Sequence, residues 1–253
     1  MTNTAHMTIC RVLQEDPDLA EAIPSEMRQR AIDECIAPAL RLHRGSWGNE
    51  GADLLRTGIG LLVLDGLLIR RVGVDGRFGA ELLGDGDLLR PWQGEDVQPT
   101  LPHTTRWRVV QPSRIAVLDV RAAARFARYP ELTGRLVGRA LERSRNLAVN
   151  MAIVHHARIE VRLHMLFWHL AERWGRVGTQ GLTVALKLTH AVLADLVAAH
   201  RPSVSGALAE LSKRGLVQPH DRGWLLTGEP PGELLELRSV HVSDNASSTH
   251  PAL

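Results

Sequence analysis

The sequence predicts an α+β chain: an N-terminal antiparallel β-roll, then a long helix, then a C-terminal unit of two short helices closed by a hairpin. Three observations carry that prediction. Short apolar runs punctuated by Gly and Asp fill residues 39–120, a stretch free of internal proline follows Pro130, and residues 186–228 spell helix, turn, helix and hairpin in that order.

Composition narrows the field first. The chain has 253 residues, 44% hydrophobic and 23% charged, which is ordinary globular composition and excludes a fibrous or low-complexity protein. Its two cysteines, Cys10 and Cys35, are too few for a disulfide scaffold, a four-cysteine zinc site or an iron–sulfur cluster, and they suit a reducing cytoplasm. The longest apolar run, 59–69, is broken by Asp65 and Gly66 and falls short of the ~18 residues of a membrane span, so no membrane partner is expected. The first residues are acidic and lack a basic-then-apolar signal.

The net charge of +2 hides an asymmetry. Residues 1–120 carry 13 basic and 17 acidic side chains, and residues 121–253 carry 17 and 11, so the halves stand at −4 and +6. Such a division points to a polyanion for the second half, although basic helices are often only solvated surface.

The elements follow in order. Residues 1–45 read as a helical lead-in around Pro17 and Pro24, with Leu13, Leu19, Ile23, Ile32, Ile36 and Leu40 at helix-like spacings. Residues 46–125 form the roll, its strands bounded by turn signals at Asp65-Gly66, Asp75-Gly76, Gly84-Asp85-Gly86 and Pro112-Ser113. Residues 126–157 form a long helix whose heptad positions, Thr133, Ala140, Leu147, Val154 and Val137, Ser144, Met151, make a small or apolar seam for a second copy. The plainer alternative packs that face on its own domain. Residues 158–175 add a helix stopped by Gly175, and residues 241–253 read as a flexible tail.

The strongest signal lies within residues 158–240. Thr189 caps a helix with Val192, Leu193, Leu196 and Val197 inward, and the chain turns at 198–200. Pro202, in a first-turn position that tolerates a missing N–H, starts a second helix with Val204, Ala207, Leu208 and Leu211 inward, and Gly215 ends it. The runs LVQPH and GWLLT around Asp221-Arg222-Gly223 then form a wing. This is a winged helix-turn-helix, whose second helix has the dimensions of a major groove. Its outer face carries Arg201, Pro202, Ser203 and Ser205 near the start and Lys213 and Arg214 at the end. Arginine can grip a guanine edge with two hydrogen bonds, and serines and helix N-terminal amides suit phosphates.

This order of elements resembles the Crp/Fnr family of bacterial transcription regulators over about residues 46–240. The resemblance is most specific in LTHAVLADLVAAHRPSVSGALAELSKRGLV and, in the roll, in GLLVLDGLLIRR and AELLGDGDLLRPW. It implies a homodimer that binds double-stranded DNA at an inverted repeat and works with RNA polymerase. It places Arg201 at the family's guanine-reading arginine, and His190, His200 and Ser203 at positions that touch phosphate. Pro202 stands where cyclic-AMP-responsive members have a base-reading Glu, and Gly206 where they have a second Arg, so the operator is expected to differ from theirs.

The sensor region departs further. The stretches aligned with the family's ribose and phosphate ligands read Leu89-Arg90-Pro91-Trp92 and His103-Thr104-Thr105, with Gly94-Glu95 and Arg106 nearby. A buried phosphodiester needs a cation and oriented donors, and a neutral histidine replaces arginine poorly. An effector pocket around Arg90, Trp92, His103, Thr104 and Arg106 is the expectation, for a small molecule other than cyclic AMP.

Competing chemistry has little to rest on. His155, His156, His164 and His169 lack the spacing of a shared metal face and are read as core or surface histidines. Cys10 and Cys35 are read as inert packing rather than a redox or metal switch. No G-x-S-x-G, P-loop or H-E-x-x-H motif is present, and no cofactor is expected. The alternative function is a ligand-binding or cupin-like enzymatic roll whose winged helix makes protein contacts. The reading preferred is a non-enzymatic regulator.

Overall fold

Alternating apolar residues in two very long strands organise the first half of the chain. The computed structural model describes residues 7–48, 58–92 and 100–231, which fall into two compact units divided between Val149 and Asn150. Gly94, Glu95 and the expected tail lie outside the described residues.

The first unit contains β1 (Met7–Arg11), α1 (Val12–Glu15), α2 (Pro17–Glu21), α3 (Ser25–Glu34), β2 (Ile36–Leu42), β3 (Gly45–Trp47), β4 (Gly58–Val74), β5 (Arg77–Leu83), β6 (Leu88–Leu89), β7 (Thr104–Asp119) and α4 (Val120–Phe126), then most of α5 (Pro130–Val154). Its antiparallel sheet follows the order β1-β2-β7-β4-β5, with β3 added to β7 and β6 to β4. Strands β4 and β7 run for 17 and 16 residues. Period-two alternation lets β4 serve two cores: Leu61 and Val63 enter one cluster with Trp47, Trp92 and Trp107, while Leu62 and Leu64 enter another with α1–α4. The strand is bent midway by register shifts between Val63 and Leu68. Gly66 sits there at φ 108°, so close to the backbone of Pro112 and Ser113 that a Cβ would collide. The Ser113 hydroxyl accepts from the Leu67 N–H at 3.1 Å and donates to the Gln111 carbonyl at 2.8 Å, holding the bend.

The all-β expectation for this region holds, but the expected boundary at residue 46 does not. Residues 7–11 and 36–42 are strands of the same sheet, paired in register from Met7 opposite Leu40 to Arg11 opposite Ile36, so the lead-in is helical only in α1–α3. The helix-like spacing of Ile36 and Leu40 also fits a strand with both faces covered, and partners on both sides decided the matter. Pro38 lies where β7 does not pair, so its missing N–H costs the ladder nothing on that side.

Helix α5 is tied to this unit by arginines one turn apart. Arg139 grips Asp16 through two hydrogen bonds of 2.6 and 2.7 Å and reaches Asp18 at 2.5 Å, and Arg135 also pairs with Asp18. Asp16 in turn caps α2 by accepting from the Leu19 N–H at 3.0 Å. Arg143 holds Glu81 at 2.5 and 2.9 Å and the Leu88 carbonyl at 2.9 Å. At the end of α3, Glu34 accepts from Arg30 at 2.8 Å and from the Tyr129 hydroxyl at 2.9 Å.

These bonds keep two carboxyls below their ordinary range. The Arg30 and Tyr129 hydrogen bonds bring Glu34 down to about 2, and those from Arg135 and Arg139 lower Asp18. A depressed folded-state pKa gives stability that is complete above the unfolded carboxylate value and is lost as pH falls through the folded value. Thermal melts should therefore show this unit losing stability from about pH 5 downward toward pH 2, and high salt should shrink the effect.

The second unit continues from the end of α5 into α6 (Ile159–Trp174), β8 (Gly175–Gly178), β9 (Gly181–Val184), α7 (His190–Leu196), α8 (Arg201–Lys213), β10 (Val217–His220) and β11 (Gly223–Leu226). The α6 side chains Leu163, Leu166, Phe167 and Leu170 are buried, as are the expected inward residues of α7 and Val204, Leu208 and Leu211 of α8. The wing belongs to a four-stranded sheet, β10-β11-β9-β8. The β8–β9 hairpin has no clear signature in the sequence, because its Gly-rich strands are short and mostly exposed.

Candidate nucleic-acid interface

The site begins with a helix pair built as the residues dictate. The Thr189 side chain accepts from the Val192 N–H at 3.3 Å and starts α7. The chain then turns through Ala198 at φ 51°. Helix α8 begins at Arg201 with Pro202 in its first turn and no capping side chain from His200. Gly215, at φ 69°, turns the chain out of the helix toward the wing.

Arg201, Pro202 and Ser203 are all exposed on the first turn, and Gly206 leaves a bare patch one turn on, where a Cβ would meet nothing within 4 Å. Helix α8 has 13 residues, about 20 Å of helix at 1.5 Å per residue, and Lys213 and Arg214 are exposed at its far end. His200 is exposed beside the first turn. Sequence reasoning passed over the exposed Arg222 at the wing turn and Lys187 ahead of α7; a cation inside a two-residue turn was the available signal. Among the described residues, Arg201, Lys213, Arg214, Arg222 and Lys187 have no carboxylate partner. The surface is therefore a set of uncommitted donors.

Two residues expected on that surface do something else. His190 Nδ1 lies 2.8 Å from the Ser205 hydroxyl, which donates to the Arg201 carbonyl at 3.1 Å, so both side chains brace the first turn of α8 from within. The His190 ring also packs on Trp224 of the wing, centroids 6.4 Å apart, and Trp224 packs on Phe167 of α6 at 5.0 Å. Helix pair, wing and α6 thus meet at one aromatic cluster. Arg162 adds a further tie, donating to the Val197 carbonyl at 3.2 Å.

The remaining candidates are placed as follows. Trp168 donates to His164 Nε2 at 3.0 Å and His169 lies 3.5 Å from Glu172, so both histidines have local partners. Cys10 and Cys35 are buried free thiols; burial raises both, Cys35 to about 11, with Glu34 adding to the effect. Of the expected effector pocket, Trp92 is buried, but Arg90, His103, Thr104 and Arg106 are exposed. They do not enclose a ligand, because Thr104 and Arg106 start an outer strand end and His103 bonds only to the nearby Leu101 carbonyl. On α5, Val137, Leu141, Ser144, Ala148 and Met151 form an exposed line spaced four and three residues apart, whereas Leu147 and Val154 are half-buried. The line includes Val137, Ser144 and Met151 of the expected seam but not the other set, since the arginine anchors fix which face turns outward.

Residues 161–228 match the family model for the Crp-like helix-turn-helix domain. This chain carries a Crp-like helix-turn-helix domain. Solved structures extend the likeness to the whole architecture, although none of the curated proteins matches. A mutant of CooA from Carboxydothermus hydrogenoformans is 14% identical, with TM-score 0.56 over 92% of this chain and 97% of that one. FixK2 from Bradyrhizobium japonicum is 15% identical, with TM-score 0.53 over 79% and 96%. A Crp/Fnr-family transcriptional regulator from Thermus thermophilus, TTHA1359, is 17% identical, with TM-score 0.52 over 79% and 98%. The Crp-like domain and the roll ahead of it together give the chain the fold of the Crp/Fnr regulators. Among the described residues no helix is long and apolar enough to cross a membrane.

Proposed function

We propose that the protein is a cytoplasmic, homodimeric transcription regulator of the Crp/Fnr type that binds a palindromic operator. The observation that carries this reading is the first turn of α8: Arg201, Pro202 and Ser203 stand exposed and uncommitted, on a helix end braced from behind by Ser205 and His190. Arg201 reads a guanine through its bidentate fork, Pro202 offers apolar contact to a thymine methyl, and Ser203, His200, Lys213 and Arg214 take phosphates. Two subunits pair along α5, which sets the reading helices one DNA turn apart, ~34 Å, and makes the operator an inverted repeat. RNA polymerase is the partner through which a bound dimer acts. The roll senses a small molecule within its interior, where Trp92 lies, and that molecule is not cyclic AMP.

The experiment is selection of genomic fragments by the purified ligand-free protein at ~150 mM salt, where non-specific phosphate binding is weak. A palindrome with guanine in each half-site is the expected result. Recovery of no enriched motif, with or without metabolite pools, overturns the reading.

Pairing along α5 has its own test. Leu141 is 67% exposed in the single chain, and a glutamate at this position places two like charges across the seam. Leu141→Glu should raise the dimer dissociation constant at least ~10-fold by sedimentation while leaving the melting temperature of the roll unchanged.

A further inference from the structure

A buried indole N–H normally finds an acceptor, as Trp168 does in His164. The roll breaks that rule three times. Trp47, Trp92 and Trp107 are 4%, 6% and 7% exposed and share one core cluster, yet no Nε1–H among them has a hydrogen-bond partner.

Two of the orphans belong to a single row. Trp47 on β3 stands opposite Trp107 on β7, Trp107 opposite Arg70 on β4, and Arg70 opposite Glu81 on β5. Residues directly opposite share a sheet face, so two indoles, a guanidinium and a carboxylate line one side of four strands. The indoles meet edge-on at 5.8 Å, and the Arg70 guanidinium carbon lies 5.9 Å from the Trp107 ring centre. Arg70 spends one nitrogen on Glu81 at 2.8 Å, and its Nε is another donor without a partner. Two residues along on the same face, Val109, Leu68 and Leu83 form a fully buried apolar row.

Donors in surplus beside an apolar strip specify a ligand. Water answers this row poorly, because each water brings hydrogens of its own, and the row's acceptor, Glu81, is already shared by Arg70 and Arg143. An anion brings acceptors alone.

We propose that the roll interior binds a small carboxylate on an apolar body. Its oxygens take the N–H groups of Trp47 and Trp107 and the Nε of Arg70, its body lies along Val109, Leu68 and Leu83, and Trp92 supplies a further donor. The inference rests on the reading of the roll as a sensor and gives that sensor a route outward. Glu81 is shared between Arg70 and Arg143 of α5, so a ligand carboxylate that draws Arg70 away leaves Glu81 wholly to α5.

The test uses the full-length protein with hexanoate and benzoate as probes, and hexanol and benzyl alcohol as matched neutral bodies, followed by calorimetry. The carboxylates should bind at one site per chain and at least ~10-fold more tightly than the alcohols, and Trp107→Phe, which keeps a ring and deletes the N–H, should cost ~10-fold. Absence of carboxylate binding at ~10 mM, or equal binding of acid and alcohol, overturns the proposal. Should Trp107→Phe fail to fold, the indole ¹H–¹⁵N spectrum of the wild type decides: the Trp47 and Trp107 signals move downfield on adding either acid, and unmoved signals overturn it. A protein that selects a palindrome but binds neither acid loses this site and keeps the regulator reading. One that binds the acids and selects no DNA keeps the site and loses that reading.

Discussion

Arg201→Ala is expected to weaken operator binding by ~1 to 3 kcal/mol per half-site, because a bidentate guanine contact is lost at each. The two half-sites lie far apart and add, so the dimer loses ~2 to 6 kcal/mol, a drop of roughly 30-fold to roughly 10⁴-fold in affinity. The signature is specific. Discrimination at one symmetric base pair should flatten, while Lys213→Ala should weaken all sequences alike and lower the salt slope by about one. Affinity measured against single-base operator variants separates the two. Full affinity and discrimination in Arg201→Ala would refute the assignment of α8 as the reading helix.

The largest effect on folding is expected at the other end of the molecule. Arg139 and Asp16 are 12% and 8% exposed as side chains and joined by two short hydrogen bonds, so removing the arginine strands a buried carboxylate. Breaking such a pair from one side costs ~3 to 5 kcal/mol. Arg139→Met should therefore lower the urea midpoint of the first unit by an amount of that order. Asp16→Asn in the same background should restore part of it, since asparagine still caps α2 and no charge is left behind. Additive losses in the double variant would show that the two side chains do not act as a pair.

The two halves of the chain were not equally legible. Residues 186–228 could be read almost position by position, because Thr189, Pro202 and Gly215 are local devices whose effect depends on nothing distant. Residues 7–42 could not. Whether Ile36–Leu42 becomes helix or strand depends on β1 and β7 arriving beside it, and the latter contact comes from more than 70 residues away. The DNA-facing arginine was visible for the same local reason. Ser205 and His190 were misdirected outward because their hydrogen bond joins two helices, and no spacing rule announces it. The effector residues named from the aligned stretches proved mostly exposed, whereas the Trp47–Trp107–Arg70 row emerges only once strand register is known.

Burial of both thiols makes the first unit its own reporter. Cys10 and Cys35 are 3% and 0% exposed and packed in the same helical core cluster of that unit, with burial holding both in the unreactive protonated form. An alkylating reagent should leave the native chain unmodified and label both residues together once that core opens. The labelling rate then clocks opening of the sensor side alone, because the DNA-binding unit contains no cysteine.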